Sequence, residues 1–271
     1  MRGSSRDALA AARERLDRSV AGGTRPPAEL AGDLFAVAGV LSGSAAVRRA
    51  LTDPSKPADA KADLVHRLLG GKIGDDALEL VADLARDRWG DAADITDAVE
   101  ALGVSAVLAS AEGAGRLDAV EDELFRFSRT VSGDPGLRDA FSIRSAGTER
   151  KAGLVHRLLD ERAAPESVQL AVQAATAPRG LRTEQVLERF VEAAAERRQQ
   201  LVAEVVTAVP LTDAQRSRLA DGLHRLYGRD VQVNVDVDPQ VVGGLRVQVG
   251  GELIDGTVLG RLESARRRLA G

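Results

Sequence analysis

Few side chains of this chain have the type and spacing to do chemistry. Three histidines, His66, His156 and His224, are the candidates for proton transfer near neutrality. There is no cysteine, which removes thiol nucleophiles, redox pairs and cysteine-based zinc sites. His66 and His156 hold the same slot in two related stretches, but no nucleophile recurs beside them. Both read as boundary residues of helices, and His224 reads likewise. Asp236 and Asp238 stand two residues apart, on one face of a strand, and a carboxylate pair is a minimal general acid–base device. On the polar side of an alternating strand the expectation is two solvated carboxylates. Arg266, Arg267 and Arg268 fall in the last turn of a helix, where cations complement the helix dipole. The phosphate cradle G-x-x-x-x-G-K-[ST] is missing, because Gly71-Lys72 lacks the first glycine and the hydroxyl residue. Gly113-Ala114-Gly115 lies between helices, not between a strand and a helix. Neither H-E-x-x-H nor G-x-S-x-G occurs. A hydrolytic site at Gly250-Gly251 would need a nucleophile, for which Glu252 alone is poor support. No catalytic residue, metal site or cofactor is expected.

Composition narrows the partners. Of 271 residues, 44% are hydrophobic and 29% charged, with a net charge of -4. Residues 201–271 carry nine basic and nine acidic side chains, so the whole excess lies in residues 1–200. A chain with no basic excess is not built to bind a nucleic-acid backbone. All seven aromatics precede residue 228, so the C-terminal strands have no rings on which bases could stack. Met1 to Asp17 is charged throughout and does not read as a secretory signal. The apolar run around Val104–Ala109 is far short of the roughly 20 residues a spanning helix needs. A cytoplasmic chain without direct membrane insertion is expected.

The elements that must position these residues differ along the chain. The first 200 residues are dominated by alanine, leucine, arginine and glutamate, all strong helix formers. Leu117, Val120, Leu124, Phe127 and Val131 fall at helical steps of three and four, and Val186, Phe190 and Val191 begin another such face. Gly22 to Pro27, Asp53 to Pro57 and Gly113 to Gly115 break the pattern. The last 70 residues change period. Val202 to Val209 is valine-rich and stops at Pro210. Thr212 and Gln215 form a capping box ahead of a helix with Leu219, Leu223 and Leu226 on one face and Gly228 at its end. Val231, Val233, Val235 and Val237 alternate with polar residues, the period of a strand with one buried face. Asp238-Pro239 and Gly243-Gly244 turn the chain. Leu245 to Val249 and Glu252 to Ile254 read as further strands, and Val258, Leu262, Ala265 and Leu269 as a closing helix.

The helical part contains a repeat. Lys61 to Leu69 (KADLVHRLL) recurs as Lys151 to Leu159 (KAGLVHRLL), with one difference in nine positions. At the same offset Leu34-Phe35 matches Leu124-Phe125, Ser42-Gly43 matches Ser132-Gly133, and Arg48, Ala50, Leu80 and Gly90 match Arg138, Ala140, Leu170 and Gly180. The period is too long for a short solenoid repeat. The expected fold class is α+β: two related helical bundles, 1–110 and 111–200, then a small strand-helix-strands-helix domain, 201–271. Leu154 is expected on the buried face of its helix.

The C-terminal stretch resembles the signature of the delta subunit of F-type ATP synthase, the family of the oligomycin-sensitivity-conferring protein. The resemblance is carried by the strand ending at Pro210, Asp236 and Asp238, the Gly243-Gly244 hinge, Arg246, Gly250, Ile254-Asp255-Gly256 and Arg261-Leu262. Residues 120–200 fit the family's helical bundle. The resemblance implies a non-catalytic stator subunit of the peripheral stalk, on the cytoplasmic face of the energy-coupling membrane. Its helical part would bind the N-terminal helices of alpha subunits at the top of the catalytic head, and its C-terminal domain the end of the b subunit. The family's usual chain has one bundle; here the first copy is the apparent addition. A generic adaptor for amphipathic helices is the alternative reading.

Overall fold

The computed structural model describes residues 1, 3–22, 25–143, 146–199, 201–227, 231–238, 244–249 and 252–255. Eleven helices come first: α1 Ser4–Ala21, α2 Pro27–Gly43, α3 Ala45–Thr52, α4 Ala58–Leu69, α5 Asp75–Arg86, α6 Asp94–Gly113, α7 Leu117–Gly133, α8 Pro135–Ser142, α9 Thr148–Leu159, α10 Pro165–Thr176 and α11 Thr183–Gln199. Then follow β1 Leu201–Thr207, α12 Asp213–Tyr227, β2 Val231–Val237, β3 Leu245–Val249 and β4 Glu252–Asp255. The compact units are 1–195 and 196–271.

The repeat is a repeat of helices. α6, α7, α8, α9 and α10 each begin 90 residues after α1, α2, α3, α4 and α5, as Asp94 follows Ser4 and Leu117 follows Pro27. α11 opens the pattern a third time. Residue 110 lies inside α6, and buried residues of both copies belong to one continuous apolar cluster. The three helices in the first slot differ as their positions demand. α1 buries only Ser5, Ala8, Ala12 and Leu16, at steps of three and four. α11 buries Val186, Leu187, Phe190 and Ala194 while Glu188, Arg189 and Glu192 stay exposed. α6 lies between the copies, packs against α1, α2, α5, α7 and α10, and buries Val99, Leu102, Ala106, Leu108 and Ala111 among others. A helix apolar around most of its circumference must be covered around most of it. At Gly103 an added Cβ would lie 2.6 Å from the Phe35 ring of α2, so the glycine sets that close approach.

Polar contacts recur at the same places with different residues. Ser44 and Asp134 cap α3 and α8, accepting from Val47 N–H at 3.3 Å and Leu137 N–H at 3.1 Å, the N-cap role. Asp33 accepts from Gly74 N–H at 2.9 Å, and Glu123 from Ala164 N–H at 2.8 Å, at the starts of α5 and α10. Arg25 meets Asp76 at 3.2 Å and Arg116 meets Glu166 at 2.7 Å. The motif lysines diverge: Lys61 donates to Asp87 O at 3.1 Å and Lys151 to Phe141 O at 2.6 Å. Burial pushes the Lys61 ammonium below its usual pKa. In α9 Val155 is the fully buried residue and Leu154 only half-buried, which corrects the expectation for Leu154. The face of α9 turns one residue further round than the apolar run Leu154-Val155 reveals.

The second unit is a four-stranded sheet in the order β2-β1-β3-β4. β1 and β2 are parallel and joined through α12; β1–β3 and β3–β4 are antiparallel. Ala203, Val205, Val231, Val247 and Val249 pack with Leu223 of α12. The capping box is present: Thr212 Oγ1 accepts from Gln215 N–H at 3.3 Å, and Gln215 Oε1 from Thr212 N–H at 2.9 Å. Leu226 was expected on the buried face but is 64% exposed; among the described residues, the cluster beneath α12 ends at Leu223. Gly228 and the closing helix from Val258 to Leu269 lie outside the described residues.

Two predictions follow from the helical packing. Leu124, fully buried in α7, lies in the second copy, whereas the single tryptophan, Trp89, lies in the first. Leu124→Ala is expected to cost about 2–5 kcal/mol and to lower the urea midpoint reported by Trp89 fluorescence. An unchanged Trp89 midpoint would mean the copies unfold separately. The second concerns Glu166, which is 3% exposed. Burial opposes its ionisation, but Arg116, its own backbone N–H and Ser110 outweigh that and hold its carboxyl below the ordinary 4.5. A lowered carboxylate pKa stabilises the fold above the ordinary value, and that contribution is lost as pH falls through the lowered one. Glu166→Gln is therefore expected to cost about 1–3 kcal/mol at neutral pH and to converge with the parent in acid. Denaturation at a series of pH values measures the gap; a gap independent of pH contradicts the assignment.

Candidate partner-binding surfaces

In the second unit, the strand register gathers several signature residues. Val206 of β1 is paired with Asp236 of β2 on one side and Arg246 of β3 on the other, and Arg246 is paired with Asp255 of β4. Asp236, Arg246 and Asp255 thus share one rung across four strands. Asp236 and Arg246 are exposed, on the face opposite Val205 and Val247, which pack toward α12. Cross-strand neighbours of opposite charge stabilise a sheet, and the Arg246–Asp255 register pair is of that kind, while Val206 of β1 stands between Arg246 and Asp236. Just past β2, Asp238 donates its backbone N–H to Thr207 O at 3.0 Å, tying the exit of the parallel pair. Pro210 is exposed after β1. Ile254 packs against the core cluster. Gly244 has φ 81°, a left-handed conformation that glycine adopts without the penalty a Cβ brings. Gly243, Gly250, Gly256, Arg261, Leu262 and the Arg266–Arg268 cluster lie outside the described residues.

The histidines of the repeat are half-exposed and sit beside acids. His66 Nε2 lies 3.7 Å from Glu79, and His156 Nδ1 lies 3.0 Å from Asp160. Among the described residues, no three His, Asp or Glu side chains converge to hold a metal ion. Asp97 and Glu100 of α6 are met by Arg179, from the turn between α10 and α11. Gln173 donates to the other Glu100 oxygen at 2.9 Å. These bonds give the buried Glu100 carboxylate its partners and lock the α10–α11 turn onto the shared helix.

The helical unit carries a groove of about 680 Å³ between α2 and the α9–α10 segment. Gly32 and Phe35 form one wall; Ala163, Pro165, Val168 and Val172 form the other. Gln169 Nε2 donates to Ala28 O at 2.9 Å and fixes the two walls together. The groove escaped the sequence reading because its walls lie more than a hundred residues apart. The one signal was the outward stripe of α2, where Gly32, Ala36, Gly39, Val40 and Gly43 are exposed at steps of three and four. A concave apolar strip with a few polar groups takes apolar side chains of a partner.

A sequence model of the ATP synthase delta (OSCP) subunit family matches residues 104–269, from the second half of α6 through the strand unit. Proteins named ATP synthase subunit delta match the whole length. That of Kineococcus radiotolerans is 53% identical over 99% of this chain and 98% of its own. That of Streptomyces avermitilis is 49% identical over 99% and 98%, and that of Beutenbergia cavernae 48% over both chains entire. A chain of the Toxoplasma gondii mitochondrial ATP synthase hexamer is similar over 62% of this chain and 95% of that one, at 16% identity and a TM-score of 0.29, too low to bear on the fold. The duplicated helical part is thus common to relatives of equal length, and with the family match spanning both its second copy and the strand unit, the chain belongs to the ATP synthase delta (OSCP) subunit family.

Proposed function

We propose that this subunit is a non-catalytic element of the peripheral stalk of F-type ATP synthase, joining the catalytic head to the b subunit and resisting rotor torque. The observation that carries the reading is the family match across both architectures. The helical unit holds the head through N-terminal helices of alpha subunits, and the strand unit meets the C-terminal end of b, on the cytoplasmic face of the membrane. Two features support this division. The helical unit carries an apolar groove of the kind that accepts an amphipathic helix. The strand unit presents Asp236 and Arg246 on an exposed sheet face. Among the described residues, no single helix is long and apolar enough to cross a membrane. The apolar pair α2–α3 bends by 105° and buries Leu30, Leu34, Leu41 and Leu51 in the core.

The chain is expected to co-elute one-to-one on a sizing column with catalytic heads stripped of their own delta subunit. Folded protein that fails to co-elute would point to a generic helical adaptor. Gly244→Val places a β-branched residue where φ is 81°. It is expected to weaken binding to a soluble b fragment at least several-fold while leaving head binding within two-fold, read by calorimetric titration against each partner. Equal loss of both contacts would contradict the division of labour.

A further inference from the structure

We infer that the duplicated unit carries a pairing code: opposite charge polarity in its two copies holds α1 to α5 and α6 to α10, and bars the exchanged pairs between two chains. Duplication creates the need. Each copy competes for the other's partners, and swapping and misassembly are the characteristic failures of repeat proteins. The first-slot helix packs on the fifth-slot helix in both copies, α1 on α5 and α6 on α10. Part of the buried apolar surface of these helices is identical at the 90-residue offset. Ala8 matches Ala98, Leu80 matches Leu170 and Ala85 matches Ala175, and all six are buried. That part of the core cannot tell one copy from the other.

The polar contacts can. In the first copy the cation stands on α1 and the anions on α5 and the turn after it: Arg15 meets Asp87 at 2.6 Å and Asp83 at 3.9 Å. In the second copy the anions stand on α6 and the cation on the turn after α10. Asp97 and Glu100 meet Arg179, and Glu100 takes the Gln173 amide at 2.9 Å. Asp83 and Gln173 hold one slot of the repeat, as do Asp87 and Ala177, Trp89 and Arg179, and Arg15 and Ser105. An exchange is therefore opposed at both new contacts. α6 on α5 sets the buried Glu100 carboxylate against the Asp83 carboxylate, in the slot of the Gln173 amide, and gives it Trp89 in the slot of its arginine. α1 on α10 sets Arg15 against Gln173 and Ala177, with no carboxylate in either slot. Arg179 then keeps only Asp7, in the slot of Asp97, and finds Ala10 in the slot of Glu100. Repulsive or stranded charges in the wrong complex are how a choice between similar partners is enforced, and a buried ion without its counter-ion is strongly destabilising.

The test refolds the full chain from urea and reads the dimer fraction by size exclusion with light scattering. Arg15→Glu with Asp83→Gln and Asp87→Arg turns the first contact round, so both copies carry the polarity of the second while every buried apolar residue stays. This triple variant is expected to keep its Tm within a few degrees of the parent and to yield at least five-fold more dimer. Arg15→Gln breaks the same ion pair without reversing it. It is expected to lower Tm and still refold as a monomer, since Glu100 continues to meet Asp83 in the exchange. Asp83→Gln alone leaves Arg15 on Asp87; it is expected to hold the parent Tm and to raise the dimer at least two-fold, and it decides the question if the triple variant does not fold. An exchanged dimer persists on dilution and reverts only through unfolding. A triple variant as monomeric as the parent overturns the inference, as does a non-folding triple variant accompanied by an unchanged dimer fraction in Asp83→Gln. A dimer that dissociates on dilution overturns it too, being association of surfaces. So does Arg15→Gln yielding as much dimer as the triple variant, which would assign the exchange to lost stability and not to polarity.

Discussion

The helical unit depends on the burial of one helix from several sides at once. α6 buries residues around most of its circumference, including Ile95, Val99, Leu102, Val104, Val107 and Leu108, and leaves the strip of Asp94, Asp97, Ala101, Ser105 and Glu112 half-exposed. Each such side chain contributes about 1.5–3 kcal/mol when fully removed from water. No single neighbour can cover that surface. α1 and α2 of the first copy take one side, and α7 and α10 of the second take another. The first copy needs α6 as the helix that closes it, and the second needs α6 as the helix that opens it. The charged groups on α6 obey the same constraint: Asp97 and Glu100 can sit there because Arg179 reaches back to them from the far end of the second copy.

The copies keep their backbone contacts and let the side chains drift. A helix start buried against a neighbour leaves N–H groups that need an acceptor. Asp33 answers that need for α5 and Glu123 for α10, one methylene apart in length and at the same position of the pattern. Asp76 and Glu166 likewise hold one slot and take Arg25 and Arg116 from loops that do not align residue for residue. The polar scaffold is set by backbone groups, which duplicate faithfully, and less by residue identity. The ends of the array follow a different rule. α1 and α11 hold the slot of α6 but face solvent on one side, and both carry charged residues there. Terminal repeats of stacked architectures need such polar outer faces.

Much of this was legible in the sequence where a local rule acts alone. The period-two valines at 231–237 gave β2 to the residue, because a sheet with one covered face imposes that alternation. Thr212 and Gln215 formed their capping box because that motif closes within one turn. The lysine-to-leucine repeat fixed the offset at which the helices recur. What escaped the reading needs distant partners. α6 is apolar around most of its circumference, so periodicity could not mark where one copy ends, and the expected boundary at residue 110 falls within the helix. Leu154 and Val155 stand side by side in an apolar run, and only the neighbours of α9 decide that Val155 is buried. Leu226 has helical spacing from Leu223 but no strand residue beneath it. The Asp33 and Glu123 caps were invisible because they differ in type. The charged rung of Asp236, Arg246 and Asp255 required the register, which a list of signature residues does not contain.

The first copy is therefore not an appendage on a standard bundle. Without α1 and α2, Val99, Leu102 and their neighbours on α6 would face water as one apolar strip, and exposed strips of that kind associate or aggregate. The sequence of α6 commits the second copy to its companion. Mechanically, this matters for an element proposed to hold against torque. Local opening is easiest where few buried contacts cross a boundary, and two bundles joined by a loop would offer such a boundary. A shared helix removes it, since parting the copies means exposing α6. The composite groove of α2 and α10 is a consequence of the same arrangement: it exists only while both copies rest on α6, so any helix docked there would add its own binding energy to the contact that holds the copies together.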